Sequence, residues 1–265
     1  MERSTIIGLV IGIVAISLGL VLKGASLSAL WNPAAILIIF AGTAASLFIG
    51  FPMSEIKKFP KLIKVVFKKQ KLTSKGEIIE MFIVMAQTAR REGILYLESQ
   101  LEQYRDPFVK KGVQLVVDGA EPELVRSLLT EQIYATEERH RAGALIFSQA
   151  GTYAPTLGVL GAVIGLIAAL GNLSDIEKLG HSIAAAFIAT LFGIFSGYVL
   201  WHPIANKLKR YSKRETEIKE IIIEGILAVQ SGTAPAFIEQ YLLVFLSPDE
   251  QALYYSQKGV LQEGG

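Results

Sequence analysis

Ala142 to Ser174 reads AGALIFSQAGTYAPTLGVLGAVIGLIAALGNLS, with no aspartate, glutamate, lysine or arginine in it. A bilayer core about 30 Å thick is crossed by roughly 20 helical residues, so this stretch is long enough to span one. Three more charge-free runs accompany it, Ser4 to Leu22, Gly24 to Ser54 and His181 to Asn206. The chain is therefore expected to be an all-α integral membrane protein with four transmembrane helices and a large helical cytoplasmic domain.

Composition agrees. Of 265 residues, 51% are hydrophobic and only 19% charged, and the mean hydropathy is +0.43; soluble domains average about 25% charged residues. A net charge of +2 lacks the dense basic stripe that nucleic acid demands. The absence of cysteine excludes disulfides, thiolate metal sites and cysteine nucleophiles. The first span follows a start that is not a basic n-region and is soon joined by a second apolar run, so it reads as a retained helix rather than a signal peptide.

The spacing predicts span 1 at about Thr5 to Leu22 and span 2 from Pro33 to about Phe51. Asn32 caps span 2, and Pro33 sits where a missing N–H is no loss. Span 3 lies within Gly151 to Leu173 and span 4 within Ser182 to Trp201. All but two of the 26 basic residues, Lys23 and Lys178, fall outside the two short connections. Basic residues are retained in the cytoplasm, which puts both termini and residues 55–141 there. The domains expected are spans 1 and 2 over 1–54, a cytoplasmic helical domain over 55–141, spans 3 and 4 over 142–206, and cytoplasmic C-terminal helices over 207–265. Lysines crowd from Lys57 to Lys75, and basic residues again from Lys207 to Arg214; topology accounts for both groups, and so would attraction to anionic membrane lipid.

Within the polar part, Ile78, Phe82, Met85 and Ala89 form an apolar stripe of helical period that Gly93 interrupts. Asp106-Pro107 and Glu121-Pro122 read as helix starts and Gly119 as a stop. One long helix is expected to run from Pro122 into span 3, and span 4 to continue past Pro203 through the charged run ending at Gln230. Ser247 to Glu250 has the form of a capping box.

The sequence contains no nucleotide loop, zinc-binding HExxH or GxSxG elbow. His140, His181 and His202 are scattered near span boundaries, so an enzyme reading has no residues to perform it. Small residues recur in the spans: Ala154, Gly158 and Ala162 in one row, Gly161, Gly165 and Ala169 in a second, and Ala185, Ala189, Gly193 and Gly197 in span 4. Such rows let helices approach closely in lipid, either within one bundle or between subunits of a ring. Pro155 and Pro203 remove backbone hydrogen bonds, as boundary markers or as kinks. Thr152, Thr156, Thr190, Ser196 and Tyr198 are uncharged and cannot exchange a proton near neutral pH; if protons cross, the titrating carboxylate belongs to a partner.

The segments from Ala150 to Ile167 and from Leu179 to Ile194, with Ala89 to Glu98, resemble the MotA family of flagellar motor stator subunits, part of the MotA/TolQ/ExbB proton channel family. The resemblance runs over nearly the whole chain except its last fifteen or so residues. It implies a proton-driven stator that turns the flagellar rotor in the bacterial cytoplasmic membrane, in keeping with the expectation that the chain is not an enzyme. It further implies a homopentamer around a dimer of single-span MotB, which grips peptidoglycan and supplies the ion-binding aspartate. Pro155 and Pro203 fall on the family prolines tied to coupling and Thr190 on a threonine near that aspartate; Tyr198, one of the uncharged polar groups that could line a hydrated path, is placed on the ion pathway with them. Ala162 stands where sodium-driven relatives carry threonine, which implies H+ rather than Na+ as the translocated ion and no cofactor. Arg90 and Glu98 match the family pair that meets the rotor protein FliG. A TolQ or ExbB type energy transducer shares the plan of spans 3 and 4 and is the alternative.

Overall fold

The structure is a computed structural model that describes residues 3–68, 70 and 73–263, and the side chains among these up to residue 258. Lys69 and Lys71 of the lysine-rich stretch, and Gly264 and Gly265, lie outside the described residues. The chain divides into two units, Met1–Gln70 with Arg139–Tyr211, and Lys71–Glu138 with Ser212–Gly265. The first is called here the membrane unit. Among the described residues four helices are long and apolar enough to cross a membrane, Arg3–Leu22, Leu27–Gly50, Pro122–Leu170 and Ile176–Gln230.

Helix α1 (Arg3–Leu22) is apolar on every side and buries none of its residues, as expected of a helix that faces lipid. Helix α2 (33–50) starts where the sequence placed it. The Asn32 carboxamide oxygen accepts from the Ala35 amide at 3.1 Å, and its amide nitrogen donates to the Ala185 carbonyl at 3.1 Å, tying the cap to span 4. A π turn at Leu37–Ala41 interrupts α2, a feature with no counterpart in the sequence pattern. Helix α3 (Phe59–Phe67) is amphipathic: Val66 is fully buried with Ala144, Phe147 and Ile204, while Lys61, Lys64 and Lys68 are exposed. The Phe59 ring stacks on Phe147 at 4.7 Å.

The second unit begins with α4 (Lys75–Glu92). Ser74 and Glu77 close a capping box at its start, and Gly93, at a φ of 88° that other residues rarely adopt, ends it. A 3-10 segment, Ile94–Gln103, follows. Helix α5 (Pro107–Val117) is capped by Asp106, whose carboxylate accepts from the Phe108 amide at 2.8 Å. Helix α6 (Pro122–Leu170) is continuous over 49 residues and contains Pro155. Helix α7 (Ile176–Gln230) is α-helical apart from a π turn at Ser196–Trp201. Helices α8 (Pro235–Leu243) and α9 (Pro248–Glu263) complete the chain, and Ser247 and Glu250 exchange the two hydrogen bonds of a capping box at the start of α9.

The core of this unit is made of large side chains. Phe82 and Met85 of α4 are buried with Leu129, Ile221, Ile226 and Ile238. The expected stripe is thus the buried face, widened by Ile79 and Ala86. Gly225 lies under the Phe82 ring, where an added Cβ would come within 2.4 Å. Polar contacts hold the last helix: the Tyr254 hydroxyl is 2.5 Å from Glu80 and 3.0 Å from Glu239. Burial, then the two carboxylates, push this phenol far above its ordinary value.

Candidate functional site

The site is the seam between α6 and α7 within the membrane unit. Without a hydrophobic force to join helices in lipid, close backbone contact must do so, and glycine supplies it. A Cβ on Gly158 would come within 2.8 Å of the Gly193 Cα, and one on Gly193 within 2.7 Å of the Gly158 Cα. Gly161 meets the Ala189 methyl at 3.1 Å and Gly165 that of Ala186 at 3.0 Å on the same measure. Ala154 and Ala189 are buried. The two rows of α6 therefore do not make two faces: Ala154, Gly158, Gly161 and Gly165 form one stripe spent on α7 of the same chain. Rows of spacing four drift around a helix of 3.6 residues per turn, and alternate steps of four and three run straight.

Pro155 sits where this seam changes character. Having no N–H, it cannot bond the Gly151 carbonyl one turn back. A Cβ on Gly197 would stand 2.7 Å from the proline Cγ and 2.8 Å from that carbonyl oxygen, so only glycine admits both. One turn on, the His202 ring covers Gly151, at 2.7 Å by the same test. Pro203 does not end α7. It lacks the N–H that would bond Val199, and the turn before it opens to π form, with the His202 amide reaching the Gly197 carbonyl five residues back. Both prolines thus flank Gly197.

The other expected site residues lie on the same two helices, and not all of them on the seam. Ala162 is half-buried one turn from Gly158. Thr190 is half-buried, and its hydroxyl donates to the Ala186 carbonyl at 3.4 Å. Tyr198 is 65% exposed, with its ring 5.4 Å from that of His202. Thr152 and Thr156 are exposed, their hydroxyls turned back to the Ser148 and Tyr153 carbonyls. The Ser196 hydroxyl is buried and donates to Gly193. Sequence reasoning missed Thr43 and Trp201. Thr43 is 3% exposed and its hydroxyl has no hydrogen-bond partner among the described residues, nor has the buried Trp201 indole nitrogen. Neither carries a sequence signal, because a lone Thr or Trp in an apolar helix is ordinary. No acid occurs in any of the four charge-free runs, so the seam can line a path but has no carboxylate with which to hold an ion.

Arg90 and Glu98 lie in the second unit. Arg90 is in the last turn of α4, Glu98 in the 3-10 segment beyond Gly93, and both are exposed. Neither forms an ion pair with a described residue, whereas their neighbours Arg91 and Glu92 pair at 3.2 Å. Leu97, between them in space of sequence, is buried in the core and fixes the segment that carries Glu98.

Residues 100–221 match the MotA/TolQ/ExbB proton channel family, and residues 6–93 match the motility protein A N-terminal family. Motility protein A of Bacillus subtilis is 55% identical over 264 residues, covering 100% of this chain and 97% of that protein. The chain belongs to the MotA/TolQ/ExbB proton channel family. In the flagellar MotAB stator complex from Bacillus subtilis a chain 55% identical superposes with a TM-score of 0.91, over 96% of this chain and 99% of that one. C. jejuni MotAB, at 32% identity, gives 0.89 over 94% and 97%.

Proposed function

We propose that the chain is the flagellar motor stator subunit that, with MotB, forms a proton channel and couples ion flow to torque on the rotor. Copies of it surround a MotB dimer as a pentamer in the bacterial cytoplasmic membrane, with both termini and residues 55–141 in the cytoplasm. The chain serves as channel wall and lever, not as an enzyme. The observation that carries this reading is the full-length likeness to the chain of a MotAB stator complex, joined to four spans that hold no carboxylate of their own. A wall of Ala and Gly with a few hydroxyls offers an ion too little compensation for lost water, which costs several kcal/mol or more; the MotB aspartate supplies the rest.

In this reading Pro155 and Pro203 let the turns around Gly197 shift as the aspartate is protonated and released. Thr190 and Tyr198 border the ion's path. Ala162 leaves out the hydroxyl that a sodium ion would use as an oxygen ligand, so H+ is the ion. Arg90 and Glu98 meet FliG, because charged contacts steer approach over about a Debye length and release easily. The test is rescue of swimming in a stator-deleted strain by this chain with its MotB. Swimming should be restored and stop when the proton gradient is collapsed; rescue that follows a sodium gradient instead contradicts the ion assignment. Orientation is tested by single cysteines at Ser28, Ser174 and Ser99: an impermeant thiol reagent applied outside should label the first two only.

A further inference from the structure

We infer that the lysine face of α3 binds the headgroups of anionic phospholipid at the membrane edge. The inference goes beyond the stator reading and requires only that α1 and α2 span a bilayer.

Helix α3 lies level with the ends of two spans. Near its end, the Val66 carbonyl is 3.5 Å from the hydroxyl of Thr5, in the first turn of α1. At its start, Phe59 packs against the cluster that holds Leu47, in the last turn of α2. The start of one span and the end of the next fall on the same side of a bilayer, so α3 follows the membrane surface between them. It also packs from the side. Val66 is buried against Ala144 and Phe147 of α6 and against Ile204 and Leu208 of α7, and both helices run on past these residues in each direction. A Cβ on Gly143 would stand 3.0 Å from the Leu62 Cδ1, so glycine there lets α3 lie close on α6. The face of α3 opposite Val66 therefore points sideways, away from the helices it packs on and into the surface layer of the bilayer.

That face carries one kind of polar side chain. Lys57, Lys61, Lys64 and Lys68 recur at intervals of four, three and four residues, which run straight along a helix; Lys57 stands in the helical turn just before α3, and Lys68 caps its end. All four are exposed, and none forms an ion pair with a described residue. Between Ile56 and Gly76 the sequence has eight lysines and no acid. Membrane orientation asks only for basic residues near the span ends, not for their alignment on one face, and a face turned to water accepts charges of either sign. Like charges three and four residues apart instead repel and destabilise the helix that holds them. A layer of phosphodiesters relieves that repulsion, because basic side chains at a membrane edge attract anionic headgroups. At the level of the span ends, that layer is the counter-charge a bilayer supplies.

The test uses the complete complex, with its single-span partner, in nanodiscs of equal phosphatidylglycerol and phosphatidylcholine. Native mass spectrometry counts the lipid each complex retains and reports its subunit composition in the same spectrum. Phosphatidylglycerol should be retained over phosphatidylcholine. Lys61→Gln, Lys64→Gln and Lys68→Gln should each lower that preference about fivefold, and most when combined, with the subunit composition intact. The corresponding arginine variants should keep it, which separates lost charge from failed folding. Lys111→Gln, at an exposed position of the second unit, should leave the preference at its parent value. An unchanged preference in the triple glutamine variant overturns the inference in favour of a face turned to water. An equal loss in Lys111→Gln overturns it in favour of net charge alone. Loss of subunits from the triple glutamine variant, with lipid content unaltered, overturns it in favour of a neighbouring protein surface.

Discussion

The membrane unit and the second unit are both helical, yet they are held together by opposite means. In the second unit large side chains fill the interior, as Phe82 does over Gly225, and every helix start described has a cap or a proline. In the membrane unit the α6 and α7 backbones meet through glycines. Water drives the first arrangement by the hydrophobic effect. Lipid offers no such force between helices, so the second arrangement depends on shape alone. A seam made by shape has few side chains to repack, and that suits a region whose two prolines leave backbone carbonyls without their usual donors.

The contrast is broken most severely by a cavity in the second unit. Phe82→Ala should cost about 3–5 kcal/mol, seen as faster hydrogen exchange in the peptides of α4 and α7 beyond Ser212, with exchange in α1 unchanged. Equal exchange in the variant and the parent protein would show that the core is not packed as described. In the membrane unit the matching change is addition, not removal. Gly193→Val forces atoms against backbone that cannot rotate away, for about 1–3 kcal/mol or more, and should abolish swimming and reduce the protein in membranes. Normal swimming by this variant would mean that the α6 and α7 seam is looser than the contacts imply.

A smaller effect sharpens the second unit's dependence on polar pairs. The Arg126 guanidinium donates to both oxygens of Glu224, at 2.5 and 3.0 Å, and this bond holds the Glu224 carboxyl below its ordinary value despite partial burial. A depressed carboxyl contributes stability that is present above its unfolded pKa of about 4.3 and is lost as pH falls through its folded value. Arg126 is about half exposed, so the contribution stays below about 1 kcal/mol. Glu224→Gln should flatten the acid limb of the unit's stability by that amount and change nothing at pH 7 beyond it; an unchanged acid limb contradicts the assignment. The smallest effect on stability belongs to Arg90→Glu and Glu98→Lys, within about 0.5 kcal/mol because both are exposed and neither pairs with a described residue. Each should nevertheless weaken swimming under load at normal protein level. Swimming that is unaffected, or lost only with the protein, would remove them from the rotor contact.

Much of this was legible in order of residues. Charge-free runs located the spans because lipid excludes unpaired charge, and Asn32, Asp106, Ser247 and Gly93 marked helix ends because orphan amides and left-handed backbone have few solutions. The long helices α6 and α7 followed from the lack of a stop between Pro122 and span 3 and from the polar helix-forming run after Pro203. Other features were hidden. The glycine rows showed that close approach occurs, but not against which helix, since spacing carries no partner. The π turn at Leu37–Ala41 arises without proline, and the 3-10 segment at Ile94–Gln103 uses residues that an α-helix accepts equally well. The roles proposed for Pro155, Ala162, Thr190 and Pro203 rest on resemblance and that for Tyr198 on its polarity, and the geometry adds to them Gly197, the residue against which Pro155 rests.

The central claim, that this chain walls an ion path whose titrating group lies on a partner, is tested most directly by proton flux into liposomes. The chain reconstituted alone should conduct no more than empty liposomes. With its single-span partner it should conduct, and conversion of the partner's membrane aspartate to asparagine should abolish the current. Proton flux through the chain alone, or undiminished flux with the asparagine partner, would contradict the account.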